Sequence, residues 1–328
     1  MQLTGIHHVS SLTSKAPQNV NFYTQTLGMR LVKKTVNQDD TSSYHLFYGD
    51  ERGNPGTELT FFDIPNLAPT YPGTSSISTI SLRVPNREAL HYWQARFHSL
   101  QVDHDEILYR AGRESLAFRD FEGQRLVLVV EDENEGVPGG VPWEKSQVPV
   151  QHGIRGLGPV ALTVSDAEPT VRLLTDVLRF QPAGQYPSTV ESQPDVLVFA
   201  TGAGGTGAEV HVEVRQDLPQ ERLGRGGVHH VAFRVPNEQE YKEWLERLET
   251  AGIHTSGPID RYYFRSIYFR EPNGILFELA TDGPGFTMDE DFEHLGQKLA
   301  LPPFLEPQRE NIEARLQPLE AIDTKKTF

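Results

Sequence analysis

The sequence contains no cysteine, which removes disulfides, thiolate metal sites and cysteine nucleophiles together. Basic residues are scarce too: 30 Lys and Arg stand against 45 Asp and Glu, a formal charge of −15. Nucleic acid and anionic membranes both need a basic surface, so neither is an expected partner. Nowhere do about 18 apolar residues run together, as a membrane-spanning helix requires. The opening residues, Met1-Gln2-Leu3-Thr4-Gly5-Ile6, carry neither the basic nor the apolar region of a secretory signal. The expectation is a cytoplasmic protein acting on small molecules, with self-association left open. What is present suffices for globular folding: 328 residues, 37% of them hydrophobic, allow two domains with a core each.

The chain repeats itself. Leu82-Arg83-Val84-Pro85-Asn86 returns as Phe233-Arg234-Val235-Pro236-Asn237, displaced by 151 positions, and Trp93, Gly123 and Gly56-x-Glu58 return as Trp244, Gly274 and Gly207-x-Glu209. One constant offset over about 130 residues marks a duplication. We read two halves, 1–132 and 152–282, joined by a polar Gly/Pro-rich linker at 133–151 and followed by an acidic tail at 283–328. Each half divides again, giving four βαβββ modules near 3–65, 76–131, 154–215 and 226–282. Asn86 and Asn237 are expected helix N-caps, and a further helix is expected around 307–316. The predicted class is therefore α+β.

Duplication supplies an internal control on the candidate site. Aligning the fourth strands of the modules on their glycines puts Thr60, Val127, His211 and Glu278 in one column, while His230 matches Thr79 and His8 matches Pro159. The fold is thus met by Thr, Val or Pro at these places and does not itself demand His or Glu. Alternate side chains of a strand face opposite sides. Val9, Val231 and Phe277 should pack under the helices, and His8, His230 and Glu278 should face a concave cup. Only if module one pairs with module four does one cup collect all three, leaving Thr79, Val127, Pro159 and His211 in a mirrored cup without metal. Two His and one carboxylate with open positions form the facial triad of O₂-using iron(II) enzymes; manganese(II) is the other candidate.

Gly5-Ile6-His7-His8-Val9, Tyr44-His45-Leu46-Phe47-Tyr48, Gly227-Val228-His229-His230-Val231 and Phe277-Glu278 resemble the vicinal-oxygen-chelate (glyoxalase/bleomycin-resistance/extradiol dioxygenase) superfamily, nearest its ring-cleaving hydroquinone dioxygenase branch. The resemblance implies two tandem glyoxalase-like domains, iron(II) at a two-His-one-Glu site, and opening of a hydroxylated aromatic ring with O₂. It also implies further active-site roles for His229, Arg261, Tyr268 and His7.

His211 lacks partners in the sequence pattern and reads as structural or surface, and His45 either lines the cavity or packs among aromatics. Gly202-Ala203-Gly204-Gly205-Thr206-Gly207 has dinucleotide-binding spacing, but it joins two strands with no helix after it and reads as a hairpin loop. A glyoxalase-like isomerase or thiol transferase would want a fourth ligand where Thr60 stands. A small-aromatic binding or resistance protein on the same scaffold would lack the metal triad.

Overall fold

The computed structural model describes residues 1–131 and 136–319; the first linker residues and the last tail residues lie outside them. Each module opens with a strand and a helix and ends in an antiparallel set of strands. The first comprises β1 (Ile6–Thr13), α1 (Ala16–Asn21), β2 (Arg30–Asn37), β3 (Asp40–Gly49) and β4 (Glu58–Asp63); the second comprises β5 (Ser76–Val84), α2 (Arg87–Ser99), β6 (Leu108–Arg110), β7 (Arg113–Arg119) and β8 (Arg125–Val130). The third repeats this as β9 (Gly156–Val164), α3 (Ala167–Arg172), β10 (Gln181–Tyr186), β11 (Val196–Ala200) and β12 (Glu209–Val214). The fourth runs β13 (Val228–Val235), α4 (Glu238–Thr250), β14 (Ile259–Asp260), β15 (Phe264–Arg270) and β16 (Leu276–Pro284). The expected tail helix is α5 (Arg309–Glu313), preceded by a short 3₁₀ turn.

Both predicted caps are made. Asn86 Oδ1 accepts from Ala89 N at 3.0 Å, and Asn237 Oδ1 accepts from Glu240 N at 2.9 Å, satisfying a first-turn donor that would otherwise be orphaned. Trp93 and Trp244 then project from these helices into the core and are fully buried.

The strands form two eight-stranded sheets, ordered β14-β15-β16-β13-β1-β4-β3-β2 and β10-β11-β12-β9-β5-β8-β7-β6. Module one therefore shares a sheet with module four, and module two with module three. The joint in each is antiparallel, between β1 and β13 or between β5 and β9. The parity expectation holds at the first joint. Val9, Val231, Phe233, Phe277 and Leu279 belong to the main core, whereas Ala232 and Ala280 pack with Phe47 and Phe264 on the other face.

The linker, read as a tether, is ordered where it is described. Val137 and Val148 are buried, and Gly140 N donates to Arg155 O at 2.6 Å, so this segment packs between the sheets. The glycine-rich segment joins antiparallel β11 and β12, as a hairpin loop should. Among the described residues no helix is long and apolar enough to cross a membrane.

Candidate metal centre

His8 and His230 come from neighbouring strands at the joint, and β16 carries Glu278 alongside β13. The three side chains converge. His8 Nε2 lies 3.1 Å and His230 Nε2 2.9 Å from Glu278 Oε2, and the two imidazole nitrogens are 3.2 Å apart. All three residues are buried, Glu278 completely. For metal–ligand bonds of about 2.1 Å, donors at right angles sit about 3.0 Å apart and tetrahedral donors about 3.4 Å. The observed separations fit one face of an octahedron.

The hydrogen bonds point the same way. His7 Nε2 lies 3.0 Å from the carbonyl of Thr281, which can only accept, so that nitrogen carries the proton of the neutral ring. His7 Nδ1 is then the acceptor for His8 Nδ1, 3.0 Å away, and the assignment leaves the His8 Nε2 lone pair facing Glu278. His230 Nδ1 is paired in the same manner with His229 Nδ1 at 2.8 Å. Burial, and then the adjoining His8, holds His7 well below its ordinary range. His229 falls to about 3 through burial and the adjoining His230. For Glu278 burial acts upward, but His8 and His230 outweigh it, and the group stands as a carboxylate. With lone pairs rather than protons on the two Nε2 atoms, neither of its oxygens receives a hydrogen bond, although both nitrogens lie within 3.1 Å of Oε2. A buried carboxylate with both oxygens unpartnered, facing imidazole nitrogens, is a donor set fitted to a divalent cation.

The places of His7 and His229 have a backbone cause. Pairing along the joint runs Ile6 to Phe233 and then His8 to Ala232, so His7 is an extra residue on β1; it runs Ser10 to His230 and then Ser11 to Val228, so His229 is extra on β13. Each is a β-bulge, which re-aims a side chain. The other sheet bulges at the corresponding Ser78 and near Gly158. The bulge belongs to the architecture, and the histidines are added to it.

The remaining predicted residues also gather here. His8, His230, Arg261 and Tyr268 line one narrow cleft with His45 and Phe264. Tyr268 sits opposite Glu278 on β15 and presents its ring edge-on to His230; burial, reinforced by the Glu278 charge, pushes its hydroxyl up. Arg261 is in the turn after β14 rather than on a strand, its guanidinium 5.4 Å from the Tyr268 ring centre. His45 does line the cleft, lying between Phe47 and Phe62 and 3.0 Å from Thr60 Oγ1. Burial, then the neighbouring His8, holds it well below its ordinary range.

Two features escaped sequence reasoning. Glu58 is buried beside His7, so His7, His8 and Glu58 form a second close group among the described residues. Burial, then Asp50, drives Glu58 well upward, His7 spends both nitrogens elsewhere, and the His7–Glu58 distance is 4.0 Å. Glu58 therefore stands beside His7, outside the His8–His230–Glu278 group; its recurrence as Glu209 was the available signal. His211, in turn, has partners after all: Tyr186 OH at 3.0 Å and Glu209 at 3.2 Å, with Glu209 held by both guanidinium nitrogens of Arg113.

A sequence model of the Glyoxalase/Bleomycin resistance protein/Dioxygenase superfamily matches residues 5–128 and again 156–279. The chain belongs to this superfamily. Within it, the chain is 54% identical over 320 residues to "Putative ring-cleaving dioxygenase MhqA" of Bacillus subtilis, covering 98% of this chain and all of that one. It is 30% identical to "Chlorohydroquinone/hydroquinone 1,2-dioxygenase" of Sphingobium indicum, over 93% of both chains. The crystal structure of a "putative dioxygenase from Bacillus subtilis" superposes with a TM-score of 0.88 at 32% identity, covering 98% of both chains. The superfamily's fold and its ring-cleaving dioxygenase relatives thus span nearly the whole molecule, which supports an oxygenase activity.

Proposed function

We propose that this superfamily member is an iron(II)-dependent dioxygenase that opens the ring of a hydroquinone or related diphenol with O₂. The observation that carries the reading is the convergence of His8, His230 and Glu278 beside a cleft lined by Phe47, Phe62 and Phe264 together with Arg261 and Tyr268. His8, His230 and Glu278 would hold the metal, which supplies positive charge and open positions for a phenolate and O₂.

The chain's own groups account for the rest. Phe62, Phe264 and Phe47 offer apolar surface to a ring bound in the cleft. A para-diphenol could offer such a metal only one of its oxygens and would need a polar partner for the other; the Arg261 guanidinium and Tyr268 line the same cleft. Tyr268, kept protonated at neutral pH, can donate a hydrogen bond to developing negative charge. His7 and His229 orient the two ligand imidazoles through their Nδ1 atoms. A four-ligand isomerase is disfavoured because Thr60 uses its hydroxyl on Ser10, at 2.7 Å, and on His45.

The test is anaerobic loading with iron(II), followed by oxygen-uptake measurement with hydroquinone, methylhydroquinone and catechol. Stoichiometric O₂ uptake with a hydroquinone, giving a ring-opened acid and no peroxide, is expected. Rapid turnover of catechol without hydroquinone activity would overturn the substrate class, and metal loading without any O₂ uptake would overturn the reaction.

A further inference from the structure

The cleft over the metal ligands is closed by a contact between the two ends of the sequence. The β2–β3 hairpin of module one reaches across to the turn before β15 of module four. Arg261 Nη1 and Nη2 donate to Asp39 Oδ1 and Oδ2 at 3.1 and 2.9 Å, a two-pronged pair spanning 222 positions. The neighbouring Gln38 Nε2 donates to the carbonyl of Arg261 at 2.8 Å. Behind the pair lies the Tyr268 ring, and both partners border the cleft. The Asp39 side chain is 71% exposed and that of Arg261 19% exposed, so the carboxylate stands outside the mouth and the guanidinium just within it.

The duplication again serves as a control. Arg261 corresponds to Arg110, and each precedes a residue in the left-handed region, Tyr262 at φ 72° and Ala111 at φ 52°. Arg110 also lies over a tyrosine ring, that of Tyr186 at 5.1 Å, yet among the described residues it forms no salt bridge. The arginine at the lip belongs to the fold, whereas its carboxylate partner is found only over the cup that gathers His8, His230 and Glu278.

We propose that Asp39 is a positioning residue that clasps Arg261 across the mouth of the metal cup, fixing the guanidinium toward the bound aromatic and gating its entry. The proposal rests on the dioxygenase reading for its catalytic part only; the closure is a property of the protein alone. The planar, two-pronged geometry restricts the guanidinium to one orientation. Because Asp39 is exposed, the clasp must also weaken with salt.

The test compares wild type with Asp39→Ala, Asp39→Asn, Asp39→Glu, Arg261→Ala and the Asp39→Ala/Arg261→Ala double variant. Hydrogen exchange of the backbone amides at 38–40 and 262–264, which needs neither metal nor substrate, should quicken about fivefold in Asp39→Ala and Arg261→Ala alike, the worth of one partly exposed ion pair. In the iron-loaded enzyme, KM for hydroquinone should rise by a similar factor in Asp39→Ala and Asp39→Asn, recover in Asp39→Glu, and lose its dependence on ionic strength. The double variant should match Arg261→Ala. Unchanged exchange in Asp39→Ala overturns the clasp. Quickened exchange with KM and its salt dependence unaltered overturns the positioning role. A wild-type enzyme that turns over no diphenol refutes the dioxygenase reading, and the exchange experiment then decides the closure alone.

Discussion

Replacing Lys33 by alanine probes what the acidic tail does. Lys33 is wholly buried on β2. Its ammonium donates to Asp289 Oδ1 at 2.7 Å, to Glu290, and to the carbonyl of Phe286 at 3.2 Å. It also lies 4.7 Å from the centre of the Tyr263 ring, whose hydroxyl donates to Asp289. One cation thus ties module one, module four and the tail together, and Phe286 is pressed on Phe47 in the wall of the cleft. Breaking a buried pair by removing one partner costs about 3–5 kcal/mol. The two carboxylates retain 18% and 12% exposure, and the water they can reach lowers this to about 2–3 kcal/mol. The loss should appear as local opening of the tail, increased roughly a hundredfold. Limited proteolysis between 285 and 296 measures it directly, with a thermal scan reporting the remainder. Lys33→Met keeps the volume but not the charge, and should open the tail as much as Lys33→Ala. Cleavage rates equal to wild type in both variants would refute the strap, and rescue by Met alone would show that packing rather than charge holds it.

Other consequences are equally direct. His8→Ala, His230→Ala and Glu278→Gln should each abolish binding of one iron(II) per chain, read by metal analysis after reconstitution; two metals per chain in the wild type would contradict the single cup. His211→Ala should cost about 1–3 kcal/mol through the lost bonds to Tyr186 and Glu209 while leaving iron content unchanged. Glu221 is pushed up to about 7 by burial, with Arg125 acting weakly against this. Its folded value therefore exceeds its unfolded one, and the associated stability is full below about pH 4.3 and lost as pH rises through about 7. Glu221→Gln should leave the urea midpoint unchanged at pH 4 and raise stability by about 1 kcal/mol at pH 8, discounted for partial exposure.

Much of the architecture was legible because duplication places its own control inside the sequence. The 151 offset exposed the modules, strand parity chose His8 and His230 over their neighbours, and counting ligands paired module one with module four. The rest was hidden for physical reasons. A bulge has no residue signature, so nothing in His7-His8 told which backbone would carry the second ring beside the first. Asp39 and Arg261, like Lys33 and Glu290, meet only through the folded chain, and no periodicity encodes such contacts. His211 lacked partners in the sequence pattern because they come from β10 and from β12 itself, two positions away on the same face, in a cup expected to hold no metal.

The pairing of modules also bears on how the molecule comes into being on the ribosome. Modules two and three are consecutive, and their shared sheet can close once β12 has emerged. Module one must wait for β13, because His8 and His230 lie 222 positions apart. At about 5–20 residues per second, that wait lasts roughly 10–40 s. Throughout it β1 presents an unpaired edge, and strand edges recruit foreign chains. Glu278 cannot join His8 and His230 until β16 has left the exit tunnel, so this cluster assembles last.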